Sequence, residues 1–233
     1  MVHEIPVNQQ DRDEQPVIVP GVWIEHAVDP PEKRRDRLRN RNLPALLAML
    51  ASAPDDRARA RIVLHVAQTY EGMADLEPRD VPGGEYVSLM ATAMGWYMRR
   101  FEMGGNGDEV GYARMKHLVC AGALNLYSHR EMRDRAHDLF RVDRERPETA
   151  YLLAIHTEPD GKRLALDYAR EAVRLSIAAK DKVTTALPVD GSILWRSYLL
   201  AARCADACGI GEEARRCARD GVAAGGPRGE FAP

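Results

Sequence analysis

The chain has 233 residues, a formal net charge of -2 and 29% charged residues. That length buries a substantial core, and the balanced charge excludes both a broad basic field for nucleic acid and an acidic disordered tail. No apolar run approaches the ~20 residues that cross a bilayer, and MVHEIPVNQQ has neither a basic nor an apolar leader region. The expectation is a cytoplasmic protein with no membrane and no nucleic-acid partner.

Met1 to Pro31 differ from everything after them. VIVPGVWIEH is β-branched and aromatic between prolines, and the preceding NQQDRDEQ is polar and unpatterned, which predicts one or two short strands joined by a loop. The rest of the chain offers them no sheet, and an isolated hairpin is only marginally stable, so another body is expected to receive them. Asp11-Arg12-Asp13 has the spelling of a metal-diphosphate motif. No hydrophobic strand leads into it, so it is read as loop.

Pro30 and Pro31 open the charged run EKRRDRLRNRN ahead of LPALLAMLASA. Lys33, Arg34, Arg35, Arg37, Arg39 and Arg41 crowd cations near a helix start, where the dipole disfavours them, although Glu32 and Asp36 dilute the charge. The run is read as a solvated linker face, with Arg34 and Arg35 as candidate partner contacts. Pro54-Asp55-Asp56 stops that helix, and Asp55 or Asp56 caps the next.

From Arg61 to Tyr127 three helical words follow, RIVLHVAQTYEGM, YVSLMATAMGWYMRRFEM and GYARMKHLVCAGALNLY. The first predicts a buried stripe of Ile62, Val63, Val66, Ala67 and Tyr70, and the second one of Val87, Met90, Met94, Met98 and Phe101. None can hide its stripe alone, so consecutive helices are expected to fold back as antiparallel neighbours. His65 flanks the first stripe and has no acid or nucleophile near it in sequence, so no catalytic role is read for it. ADLEPRDVPGGE is a longer connection than a tight repeat uses. Gly104, Gly105 and Gly107 then supply left-handed backbone for a sharp reversal, and Asp108-Glu109 places carboxylates on the next first turn.

Ser128 is positioned to cap a helix that turns Met132, Ala136, Leu139 and Phe140 inward. Ala136, then Phe140, then Pro147 approximates the second half of a tetratricopeptide repeat, in which a small residue allows close approach and a proline opens the next helix. Ala165, Ala169 and Ala172 repeat the small-residue pattern after the turn at Asp160-Gly161. Ala179 to Gly191 interrupt the rhythm before Leu194-Trp195-Arg196-Ser197-Tyr198 starts another helix. Trp195 is read first as a core anchor. Cys120, Cys204, Cys208 and Cys217 all lie inside apolar helical patterns and are read as free core thiols; a three-thiolate site from the last three lacks the usual paired spacing and a fourth ligand.

Several of these words, AQTY, RRFEMGGNGDEVGYAR, RPETAYLLA, LPVD and the Trp195-Arg196 pair, together resemble the tetratricopeptide-like helical region that follows the catalytic domain in bacterial family 2 glycosyltransferases. Val2-His3-Glu4 and Val22-Trp23-Ile24-Glu25-His26 look like the last edge of such a catalytic domain. Arg41-Asn42-Leu43 continues the likeness, which runs to about Val222. The pattern carries a tyrosine before the tryptophan-arginine pair and a glutamate after it, whereas this chain has Leu194 and no glutamate until Glu212.

The fold expected is all-α, a tetratricopeptide-like helical-hairpin solenoid with a short N-terminal extended or β segment. Its parts are residues 1–31 as the extended segment, 32–226 as the helical repeat domain and 227–233 as a flexible tail. By the resemblance, His3 and Glu4 would lie near a metal-diphosphate site. Trp23, His26, Arg34, Arg35, Trp195 and Arg196 are the candidate partner-binding residues.

The nucleotide-sugar sheet and its Asp-x-Asp are not in these residues, so the chain is not expected to catalyse alone. A divalent metal and a nucleotide-sugar would come only with a catalytic partner. The leading expectation is a helical-repeat portion of a glycosyltransferase system that binds a catalytic chain or the acceptor protein, with a homo-oligomer also compatible. The alternative is a freestanding adaptor whose repeat face binds protein.

Overall fold

A computed structural model of the chain describes residues 30–79, 81, 84–180 and 192–231. The chain divides into two units, Met1–Pro30 and Pro31–Pro233, and all the described helices belong to the second. The strand reading of VIVPGVWIEH, the reading of Asp11-Arg12-Asp13 and the LPVD likeness lie outside the described residues.

The described unit is all-α. The helices are α1 (Pro31–Asp36), a π-helical stretch (Arg37–Asn42), α2 (Leu43–Ala51), α3 (Asp56–Ala74), α4 (Glu85–Glu102), α5 (Gly107–Ala123) and α6 (His129–Val142). They continue with α7 (Pro147–Thr157), α8 (Lys162–Lys180), α9 (Ile193–Ala207), α10 (Gly211–Ala223) and a 3-10 turn over Arg228–Phe231. From α2 onward each helix packs on the next in sequence, α7 also touches α9, and α5 meets α6 most lightly among the consecutive pairs from α3 onward. No helix among the described residues is long and apolar enough to cross a membrane.

Local chemistry sets most boundaries. Asp55 caps α3 by accepting from the Ala58 amide at 2.7 Å, and the Asn106 side chain accepts from the amides of Asp108 and Glu109 at the start of α5. Ser128 and Glu131 form a reciprocal capping box on α6. Pro147 stands at the first turn of α7, where its missing N–H costs nothing.

The π-helical stretch has an equally local cause. Pro44 cannot donate to the carbonyl four residues back, and its ring crowds that carbonyl, so the helix leading into it widens. The Leu43 amide accordingly reaches five residues back, to the Leu38 carbonyl.

Stripes of the expected spacing form the core, with one rotation. In α3, Ile62, Val63, Val66 and Ala67 are buried. In α4 the sequence predicts burial of Val87, Met94 and Met98, but the residues enclosed are Tyr86, Leu89, Met90, Ala93, Tyr97 and Arg100, while Val87 and Met98 are exposed. The reason is polar: Tyr97 and Arg100 carry groups whose partners, Glu71 and Glu109, sit on the neighbouring helices. The pairings turn the helix so that Val87 and the unbranched, adaptable Met98 face outward.

Toward the C-terminus, Ala136, Ala154, Ala165, Ala169, Ala172 and Ala205 are fully buried and let the helices approach closely. Of the tail, Arg228–Phe231 forms a 3-10 turn that brings Phe231 back to α10. A Cβ on Gly221 would stand 2.3 Å from the Phe231 ring, and one on Gly226 would stand 2.6 Å from it, so two glycines make the seat for that side chain.

The Arg100 guanidinium is 1% exposed. Its Nε and Nη2 donate to Glu109 Oε2 at 3.2 and 2.8 Å, and its Nη1 donates to the Gly104 carbonyl at 2.8 Å. Gly104 and Gly105 both take positive φ, as the reversal requires. Arg100→Met leaves Glu109 buried without its partner and is expected to lower the unfolding free energy by about 3–5 kcal/mol. Met98→Ala on the outward face should cost under about 0.5 kcal/mol. Urea midpoints at unchanged slope test the pair, and a costlier Met98→Ala would restore the methionine stripe to the core.

Candidate functional site

On α3, Gln68, Glu71 and Asp75 recur at helical spacing and share one face. On α5, Tyr112 and Lys116 do the same. Between them rises Tyr97 of α4, fully buried along its ring. Its hydroxyl donates to Glu71 Oε2 at 2.5 Å, and Lys116 Nζ donates to Glu71 Oε1 at 2.7 Å, so both oxygens of this carboxylate are occupied.

Tyr112 stands at the centre of the cluster. It meets the Tyr97 ring edge-on at 6.3 Å, and the Gln68 side chain lies beside its hydroxyl. Lys116 Nζ is 5.7 Å and Arg146 Cζ 5.6 Å from its ring centroid, so one aromatic ring carries two cations. Arg146 is held in turn by Asp143 Oδ2 at 3.1 Å. Asp143 can approach α5 only because residue 111 is glycine; a Cβ there would lie 2.7 Å from Asp143 Oδ2. Thr149 closes the corner by donating to the carbonyls of Asp143 and Arg146, each at 2.8 Å.

The electrostatics lock this cluster rather than poise it for proton transfer. Burial works against the Lys116 ammonium, but Glu71 outweighs it and holds the lysine charged well above its ordinary range. Burial, then the Glu71 charge, raises the Tyr97 hydroxyl strongly. The same two causes push the Cys120 thiol up to about 12. Here a nucleophile would have to be freed from a satisfied partner, and the thiol is far from its reactive thiolate form. The arrangement suits recognition, offering a fixed aromatic ring with cations on it. Among the described residues no group of three or more His, Cys, Asp or Glu side chains could hold a metal ion.

A second face is apolar. Helix α2, LPALLAMLA, has no buried residue, with Leu47 40% and Met49 53% exposed. It touches α3 and the π-helical stretch, leaving most of its apolar surface open.

The residues singled out in sequence fall in several places. His3, Glu4, Trp23 and His26 lie outside the described residues. Arg34 is exposed. Arg35 is turned inward: its Nη2 donates to the Leu76 carbonyl at 2.9 Å and its Nε pairs with Glu77 at 2.8 Å, strapping α1 to the end of α3. Arg39 likewise pairs with Glu85. Trp195 is half-buried, with the exposed Arg196 guanidinium 5.4 Å over its ring, and so is not the enclosed anchor first expected. His65 is exposed and bonds Gln68 at 3.0 Å, a flank position. Cys204 and Cys217 are buried thiols raised above their usual range by burial, whereas Cys208 at the end of α9 is only partly covered.

Glu71, Tyr97, Tyr112, Lys116 and Arg146 were not legible as a site. Their one sequence signal is the i, i+4 spacing of Tyr112 and Lys116. No protein-family model, no curated protein and no solved structure matches this chain.

A group held protonated in the folded chain beyond its ordinary value stabilises below that value, and the contribution is lost as pH rises toward the folded value. Cys120 and Lys116 are of this kind, as are Cys204, Cys217 and Tyr97, so each single variant removes one share of the loss. Thermal midpoints are therefore expected to fall from about pH 8.5, where an unfolded thiol begins to ionise, and more steeply beyond about pH 10.4, the ordinary lysine value. Cys120→Ala should flatten the first part and Lys116→Met the second. Profiles identical to the parent chain would remove these groups as the cause.

Proposed function

We propose that the chain is a tetratricopeptide-like helical-repeat portion of a glycosyltransferase system, and that a separate catalytic chain seats on α2. The observation that carries this reading is the open apolar surface of α2. A stack of helical repeats needs a polar outer face on its terminal element to stay free in water, and LPALLAMLA at the start of the described helices is the reverse. A partner covering Leu47 and Met49 would remove that surface from water. The likeness of the AQTY and RRFEMGGNGDEVGYAR words to the region that follows such catalytic domains is what favours a catalytic chain as the partner. Gln68 of the first word lies beside the Tyr112 hydroxyl of the second, and Arg100 pairs with Glu109 within the second, so residues of these words meet through space as well as in order.

In this reading the catalytic chain brings the nucleotide-sugar and any divalent metal, and the Tyr112 face receives the acceptor protein. The second reading is a freestanding adaptor, favoured by the Tyr112 face itself, whose groups are arranged without help from another domain.

The tagged chain, incubated with lysate of its native host and recovered, is expected to retain a protein with a nucleotide-sugar-binding domain, identified by mass spectrometry. Leu47→Asp/Met49→Asp should abolish that capture and Tyr112→Ala should spare it. Recovery only of proteins without such a domain, lost with Tyr112→Ala and kept with the α2 pair, would replace this reading with the adaptor. Loss of self-association in the α2 variant, read by light scattering with no partner retained, would assign α2 to a homo-oligomer.

A further inference from the structure

The lightly packed boundary between α5 and α6 opens a groove of about 330 Å³ on the side of α5 opposite Tyr112 and Lys116. Its floor is apolar. Phe101 reaches it from the end of α4, Leu118 and Leu139 supply aliphatic surface, and Val142 stands 72% exposed beside them. The volume lies at the small end of ligand-sized clefts, with room for a large side chain or two.

The rim is cationic and already ordered. Arg114 lies with its guanidinium 5.9 Å over the Phe101 ring, and Arg135 lies 4.1 Å over the Tyr127 ring. His117 meets Phe101 edge-on at 5.6 Å. Several other arginines of this unit are spent on carboxylates: Arg170 on Glu213, Arg174 on Glu171, Arg203 on Glu158. Arg114 and Arg135 make no ion pair among the described residues, and the groove's one carboxylate, Asp138, bonds neither of them. A guanidinium stacked on a ring has lost much of its rotamer freedom before any ligand arrives, so a carboxylate binding it loses less entropy than one meeting a free side chain.

We propose that this groove docks an acidic peptide segment of a partner protein, with a leucine or phenylalanine side chain on the Phe101–Leu118–Leu139 floor and carboxylates on Arg114 and Arg135. A trough between two helices suits a peptide lying along it, as helical or extended segments do in apolar grooves. Net positive charge at the rim rejects basic segments. The inference rests on the reading of the chain as a protein-binding scaffold but uses the opposite face of α5, so the two fail separately.

The test is fluorescence anisotropy with a labelled peptide repeating Glu-Leu-Glu-Phe. Its lysine counterpart, its alanine counterpart and a labelled single-stranded oligonucleotide are run alongside. The acidic apolar peptide is expected to bind, and Arg114→Glu and Arg135→Glu are each expected to weaken it by about tenfold or more, the scale of a lost charge contact. Both positions are exposed, and melting curves confirm that the variants fold. The double reversal should instead gain the lysine peptide, a rescue that general loss of structure cannot produce. Tyr112→Ala should leave all of this unchanged.

Absence of binding by the acidic peptide would overturn the proposal. So would equal binding of the lysine peptide, indifference to both reversals, or a tighter complex with the oligonucleotide that the reversals abolish.

Discussion

The fold of this unit depends first on one enclosed ion pair. Arg100 has almost no contact with water, and its desolvation is repaid only because Glu109 and the Gly104 carbonyl together engage Nε and both terminal nitrogens of its guanidinium. Such a pair adds little net stability relative to apolar residues of similar size, but it tolerates no slippage, since either partner alone would be a buried charge. It therefore fixes how α4 turns into α5. With Arg100 inward, Tyr97 three residues earlier must also face inward, which brings its hydroxyl to Glu71 and sets Glu71 opposite Lys116. The Tyr112 cluster is thus a consequence of a reversal encoded some distance from it.

Helix existence and ends were legible because they have local causes. Pro54-Asp55, Gly104-Gly105, Ser128 with Glu131, and Pro147 each satisfy or spare backbone groups within a turn of themselves, and each marks a boundary in the structure. The alanine crossings of α6 and α8 were legible for the same reason, since residue size is written in the sequence. The face of α4 was not. Of the apolar stripe Val87, Met90, Met94, Met98 and Phe101, Met90 is enclosed and Met94 and Phe101 pack against the core, but Val87 and Met98 are exposed, and the through-space partners Glu71 and Glu109 decide that rotation. Hydrophobic periodicity weighs transfer from water but is blind to a buried polar group that has found its complement. The candidate site escaped notice for a related reason: its members come from α3, α4, α5 and the start of α7, and Gly111, which admits Asp143, carries no signal until the neighbouring element is placed.

The two halves of the unit are held by different means. Around α3, α4 and α5 the core mixes large aromatics with a connected set of buried polar groups. From α7 to α10 it is chiefly alanine, leucine and cysteine, and its charged pairs, such as Arg170–Glu213 and Arg203–Glu158, join an exposed arginine to a largely covered carboxylate at the edge of that core. A polar-networked core resists alternative packings because each partial rearrangement strands a donor or a charge, whereas an alanine seam can slide at smaller cost. Tyr112 with its two flanking cations stands on the first kind of core, which holds its geometry fixed.

The ends of the described unit differ in a way set by the same balance of exposed surface. At the C-terminal end the chain turns back and seats Phe231 against Gly221 and Gly226, covering the last helix with its own side chain. At the other end α2 exposes leucine and methionine, with no described element over them. Leaving α2 open costs transfer free energy that any apolar partner would recover, and the cost per side chain is of the order of 1 kcal/mol or more at this degree of exposure. Arg34, exposed in the segment just before it, sets a charge beside that apolar surface. An apolar surface beside exposed charge is the arrangement found at association surfaces, and among the described elements it is chiefly α3 and the π-helical stretch that lie against α2.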